Sequence, residues 1–206
     1  GTWPFVSDLR TGAMSGGSGE HGLLSAACAQ MLCHFDLPSG AAAGMCDSKL
    51  PDSQSGYEKG STAVMAGLAG LNLVYESAGM HASLLGFSLE SMIIDNDMLG
   101  QCLRCVRGIE VNDDTLSFEA IKDVCLNGPG HYLGHDRTLA VMESEYVYPI
   151  ISDRSSPKEW NENNKPEIIN SAHNEVKDIL ENHKPIHISS ETDKLIREKF
   201  KIYFTK

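Results

Sequence analysis

The chain has no run of 18 apolar residues, and its N-terminus has no basic stretch leading into an apolar segment. From these absences neither a membrane-spanning helix nor a secretory leader is expected. Positive charge is scarce too. Seventeen Lys and Arg stand against 28 Asp and Glu, a formal charge of −11, and such a field repels phosphate backbones and anionic headgroups. A soluble, cytoplasmic protein is expected, with neither nucleic acid nor membrane as partner. Cysteine is sparse as well: six in 206 residues, set in apolar helical patterns, make reduced thiols and not a disulfide framework. Internal repeats and low-complexity stretches are missing.

Glycine disappears part-way along. All 19 glycines lie at or before Gly134, whereas 11 of the 17 basic residues follow it, so two regions are expected, 1–135 and 136–206. In the first, Trp3-Pro4-Phe5-Val6, a helix over 20–35, the run 41–45, a helix over 57–68 and the run 71–75 alternate as β-α-β-α-β. That order implies parallel strands with right-handed crossovers. The helix over 20–35 carries apolar residues at 23, 24, 27, 28, 31 and 32, a stripe expected to face a core. Beyond Ser88 helical periods dominate, over 88–106, 117–126, 136–146, 168–182 and 191–200, with Ser88-x-x-Ser91 and Thr115-x-x-Phe118 as caps. Pro157, Pro166 and Pro185 divide the last 50 residues into charged helical pieces, which reads as a tail wrapped on a surface. Three parallel strands with two open edges invite association, so a homo-oligomer is expected.

Each strand is followed by a distinctive loop. The first is Arg10-Thr11-Gly12-Ala13-Met14-Ser15-Gly16-Gly17-Ser18-Gly19-Glu20, whose glycines allow close backbone approach but which lacks the Lys-Ser/Thr ending of a phosphate loop. The second is Gly44-Met45-Cys46-Asp47-Ser48-Lys49-Leu50-Pro51-Asp52-Ser53-Gln54. The third is Tyr75-Glu76-Ser77-Ala78-Gly79-Met80-His81. With Trp3 to Gly12, Ile94-Asp95-Asn96-Asp97-Met98 and Gly128-Pro129-Gly130-His131-Tyr132-Leu133-Gly134-His135, these segments resemble the C-terminal part of the trimethylamine methyltransferase superfamily, over essentially the whole chain.

The resemblance implies an α/β fold, the C-terminal half of a (β/α)8 barrel with a helical C-terminal extension. It implies an enzyme that moves a methyl group from a methylated amine to the Co(I) of a separate corrinoid protein, with no cofactor bound by the chain itself. Founding members carry pyrrolysine in the barrel, at a position matched here by Met45. This chain therefore resembles the members without pyrrolysine, those characterised acting on quaternary amines such as glycine betaine. A non-catalytic half barrel that oligomerises is the competing reading.

A quaternary ammonium offers no N–H, so its site needs aromatic faces, carboxylates and shape. At strand ends of a parallel barrel polar clusters are more often catalytic than structural, which makes Glu76 and His81 the catalytic candidates. Met45, Asp47, Tyr75 and Leu37 are the expected substrate contacts, and Gly16, Gly17 and His131 the loops at the mouth. Met45, His81 and Glu76 are expected around one cavity. Asp47 has a structural alternative, an ion pair with Lys49. Cys102-Leu103-Arg104-Cys105 with His131 and His135 has zinc-ligand types, but its flanks continue a helix, so buried thiols are the simpler reading and no metal is expected. Lys194, Arg197, Lys199, Lys201 and Lys206 read as a solvated face, with contact to an acidic corrinoid partner as the alternative.

Overall fold

A computed structural model describes residues 2–183 and 186–201; Pro185 and Lys206 lie outside the described residues. The order is β1 (Val6–Ser7), β2 (Met14–Ser15), α1 (Gly19–His34), β3 (Gly40–Ala42), α2 (Ser53–Leu68), β4 (Leu73–Tyr75), β5 (Met80–His81), a tight turn (Ala82–Leu84) and β6 (Gly86–Phe87). Helices follow: α3 (Leu89–Arg107), α4 (Asp113–Leu116), α5 (Phe118–Lys122), a π-turn (Asp123–Asn127), α6 (Asp136–Glu145), α7 (Pro157–Glu162), α8 (Ile168–Asn182) and α9 (Ser190–Lys199). The chain is thus α/β, with helix predominating.

Among the described strands only β3 and β4 pair in parallel, Gly40 opposite Leu73 and Ala42 opposite Tyr75. This corrects the expected parallel trio. Val6–Ser7 instead pairs antiparallel with Met14–Ser15. The N-terminal segment does touch β3, through Thr2 N–H to Gly40 O at 3.2 Å. In a parallel ladder the next donor due is residue 4, which is proline and has no N–H to give. The contact therefore stays a single bond.

Helix α1 also departs from its pattern. Its buried residues are His21, Gly22, Ser25 and Ala29, and Leu23, Leu24 and Met31 of the expected core stripe are exposed. The helix lies against α2 and β3, both built of small residues at the contact. A Cβ on Gly22 would sit 3.2 Å from a methyl of Thr62, and Ala41 and Ala42 of β3 are fully buried. Close backbone approach selects small side chains and turns the large ones outward. Helix α2 begins earlier than its apolar period suggests, because Asp52 and Ser55 close a reciprocal capping box over its first turn.

Ser88 caps α3 as expected, accepting from Ser91 N at 3.2 Å. The second expected cap falls elsewhere: Asn112 and Thr115 make the box over α4, Ser117, at φ 51°, separates α4 from α5, and the expected helix over 117–126 is α5 running into the π-turn. Helix α8 packs on α3, with His173 reaching Glu90 at 2.9 Å.

The segment after α6 is fastened to α3 by one carboxylate. Asp97 is buried and accepts the amides of Ile150, Ile151 and Ser152 at 2.8, 2.9 and 2.9 Å, with the Ser152 hydroxyl at 3.0 Å. Burial pushes its pKa up, but these four donors outweigh that and hold it below the usual carboxylate value. A carboxylate with a depressed folded pKa stabilises above the unfolded value, near 4, and that stabilisation is lost as pH falls through the folded one. Asp97→Ala is expected to cost about 3 kcal/mol in urea unfolding at pH 7, since buried amides lose a charged partner. Below about pH 3 the difference from the parent protein should shrink.

Candidate functional site at the strand ends

The loops after β3 and β4 meet at one end of the parallel pair because Gly44 permits it. Its φ of 80° belongs to the left-handed region, and a Cβ there would lie 2.8 Å from Ser77 O. Beyond it Met45, Cys46 and Ser48 are buried and Asp47 is half-buried.

Asp47 gathers the hairpin, this loop and the turn Ala82–Leu84. Its carboxylate accepts Gly16 N at 2.7 Å and Gly17 N at 3.3 Å, and short hydrogen bonds from the Ser15 and Ser83 hydroxyls. Burial raises its pKa, yet the combined donors Ser15, Ser83, Gly16 and Gly17 leave it lowered. It is a fixed negative charge and a poor base. The alternative of an ion pair with Lys49 does not form: Lys49 Nζ donates to the Asp47 backbone carbonyl at 2.7 Å. Asp47, Lys49, Ser15, Ser83, Asp8 and Leu85 are among the residues around a half-open cleft of about 600 Å³.

A second carboxylate lies beneath. Glu58 on α2 accepts Asp47 N at 2.7 Å and Ser48 N at 3.4 Å, and Gln54 Nε2 at 2.9 Å. Next to it Lys59 and Asp95 form a buried ion pair at 2.6 Å, and Asp95 also takes Gly79 N at 2.8 Å. Breaking such a pair from one side strands a buried charge at a cost of about 3–5 kcal/mol. These groups tie α2, α3 and the loop after β4 together.

His81 is buried and spoken for at both ring nitrogens: Nε2 lies 2.6 Å from Ser91 Oγ, and Nδ1 3.3 Å from Ser48 O and 3.2 Å from Cys46 Sγ. Burial, with the nearby Lys59 charge, lowers its pKa. Met45 is enclosed against Gly16, whose Cβ would lie 3.3 Å from the Met45 methyl. The expected common cavity of Met45, His81 and Glu76 is therefore absent among the described residues, since two of the three are consumed by packing. Gly16 and Gly17 do reach the site, as Asp47 donors. Leu37 is elsewhere, with Asn72 at the opposite end of β3 and β4. His131 lies exposed in the loop before α6.

Tyr75 and Glu76 close β4. Glu76 sits at φ 64°, and its Oε2 is buried without a hydrogen-bond partner among the described residues. Ala82, Ser83 and Leu84 follow at φ 49°, 51° and 79°. Non-glycine residues in this region cost about 1–3 kcal/mol each, and such strain concentrates at functional sites. The turn is held by Ala82 N to Ser48 O and Ser83 N to Cys46 O, both 2.9 Å.

Sequence reasoning missed Ser15, Ser83, Glu58, Lys59 and His21. His21, on the first turn of α1, is buried, with its Nδ1 unpartnered among the described residues and its pKa lowered by burial. The one available signal was charge inside the helical repeat of α2, where Glu58 and Lys59 stand together. Cys102 contacts Gly60 O at 3.8 Å and Met98 Sδ at 3.5 Å, and among the described residues no three of His, Cys, Asp and Glu gather as metal ligands.

A family model described as trimethylamine methyltransferase matches residues 1–202. The chain belongs to the trimethylamine methyltransferase family. Among its relatives, trimethylamine methyltransferase MttB of Methanosarcina thermophila is 38% identical over 181 residues, 87% of this chain and 37% of the relative. Glycine betaine methyltransferase of Desulfitobacterium hafniense is 34% identical over 194 residues, 94% of this chain and 40% of the relative. This family member thus spans about two fifths of the length of such relatives.

Two outcomes test the geometry. A Cβ on Gly17 would fall 2.7 Å from Glu58 Oε2 and 2.8 Å from Cys46 Cα, backbone that cannot yield, so Gly17→Ala should destabilise by about 2 kcal/mol or more. Gly19→Ala, with open space around it, should be neutral in the same thermal melt. Burial pushes the Cys46 thiol up to about 11. At pH 8 iodoacetamide should label exposed Cys33, Cys105 and Cys125, and Cys46 only on unfolding, as read by peptide mass spectrometry.

Proposed function

We propose that the protein acts in transferring a methyl group from a methylated amine to the corrinoid of a partner protein. Its chain would supply the C-terminal half of a (β/α)8 barrel, with 136–206 as a helical extension. The observation that carries this reading is the meeting of the hairpin, the loop after β3 and the turn after β5 on the Asp47 carboxylate, in a chain that the family model matches over residues 1–202. Loops at strand ends on a rigid base are where barrel enzymes place their sites.

The corrinoid of the partner protein, in its Co(I) state, would supply the electron pair that takes up the methyl group, and the amine would react as a cation, quaternary or N-protonated, so that the C–N pair stays on nitrogen. The leaving amine is neutral, so the chain's task is positioning, and orientation accounts for much of the rate. Tyr75 and Glu76 are the residues that would meet the amine. Asp47, Gly16, Gly17, Ser15 and Ser83 would hold the mouth in shape, and His81 and Met45 would support it from below. Leu37, at the far end, has no role in this scheme. The setting would be cytoplasmic, and no helix among the described residues is long and apolar enough to cross a membrane.

A second reading, a non-catalytic half barrel that oligomerises, draws on the exposed stripe Leu23, Leu24 and Met31 of α1. Methyl transfer from trimethylamine and from glycine betaine to a Co(I) corrinoid protein, followed by the absorbance change on methylation, separates the two. The proposal expects transfer from at least one amine. No transfer from either, together with concentration-dependent association in sedimentation, would favour the second reading.

A further inference from the structure

We propose that the outward face of α1 is the interface of a two-fold homodimer, with α1 of one copy lying antiparallel on α1 of a second and Ala27 at the centre. The inference goes beyond both readings of function and depends on neither. At about 100° per residue, Glu20, Leu23, Leu24, Ala27, Met31 and His34 fall on one face of the helix. All are exposed among the described residues, Leu23 by 62% and Met31 by 55%. The residues that α1 buries, His21, Gly22, Ser25 and Ala29, lie on the opposite side, against α2 and β3. From Gly22 to Cys33 the helix carries no Asp, Glu, Lys or Arg. A surface helix normally turns a charged face to water; this one turns an apolar stripe with a single amide, Gln30.

The order of residues along the stripe selects a second copy as its occupant. A two-fold interface is isologous: where one residue meets another, the reverse contact is made as well. In antiparallel register about Ala27, positions equally far before and after it face each other. Leu23 then meets Met31 of the second copy, Leu24 meets Gln30, and Glu20 meets His34. Ala27 meets itself, and so small a side chain at the centre lets the two helix axes approach closely. The charged ends are complementary: the carboxylate of Glu20 and the imidazole of His34 have no ion-pair partner among the described residues, and each lies opposite the other. Parallel pairing would instead set Glu20 against Glu20, and like charges facing across an interface are unfavourable. One helix face per copy is small beside the roughly 1,200–2,000 Å² of stable interfaces. The association is therefore reversible and dependent on concentration.

Sedimentation equilibrium of the purified chain in reducing buffer tests this, with a monomer–dimer Kd of about 1–100 μM expected. Ala27→Glu brings two carboxylates together at the centre and should weaken association by about thirtyfold or more. Glu20→Lys should weaken it by about three- to tenfold, and Glu20→Lys combined with His34→Glu should restore it, because the exchange keeps opposite charges face to face. A chain that stays monomeric up to about 200 μM would overturn the proposal. A dimer indifferent to Ala27→Glu would overturn it too, and would point to another contact such as the open edge of β4. Loss in Glu20→Lys without recovery in the double variant would discard the antiparallel register. Circular dichroism reports folding; should Ala27→Glu not fold, Leu23→Lys takes its place with the same expected loss. Methyl transfer is read separately. Transfer by a chain that never dimerises strikes out the interface and leaves the methyltransferase reading, and a dimer without transfer does the reverse.

Discussion

The arrangement at the strand ends depends on the Asp47 carboxylate being both desolvated and fully bonded. Two segments far from it in sequence, around residues 15–17 and 83, end on its two oxygens. A half-buried carboxylate is tolerated only because each acceptor direction meets a donor. Those bonds also hold the turn at Ala82–Leu84 in backbone conformations it would not otherwise keep. Charge, and not apolar packing, sets the shape of the mouth.

The same logic continues inward. The core around β3 is made of alanines and small polar residues, which bury little apolar area each. What large side chains supply elsewhere is supplied here by buried charges in pairs: Glu58 under the loop of Asp47, and Lys59 with Asp95 between α2 and α3. Such interactions are directional, so they fix one arrangement of loops. They also make the region sensitive to the loss of any single partner. Against this frame Glu76 stands out, with a carboxylate oxygen that is enclosed yet unmatched among the described residues.

Family membership and geometry together narrow the chemistry. A nucleophilic displacement at a methyl group needs a held cation and a clear line of approach more than it needs a base. With donors holding the Asp47 pKa down and burial lowering that of His81, the proposed site would position a substrate and not shuttle protons. The apolar stripe on α1 is exposed among the described residues.

The sequence by itself determined much of the local structure. Gly19–His34, Leu89–Arg107, Asp136–Glu145 and Ile168–Asn182 follow from 3.6-residue periodicity and caps such as Ser88, because these are interactions between near neighbours. The family, too, was legible, since its motifs, such as residues 44–54, 75–81 and 128–135, are contiguous strings. Other features were decided only by tertiary structure. Pro4 stops a ladder whose partner strand lies nearly 40 residues away, and the stripe of α1 faces out because Gly22 and Ser25 suit the close approach of α2 and β3. Ser15, Glu58 and Ser83 became site residues by converging on one loop across gaps of 11 to 36 residues. No period in a sequence encodes such a meeting; the chain must close before these donors and acceptors can find one another. Trp3 and Tyr75, 72 residues apart, meet ring to ring for the same reason.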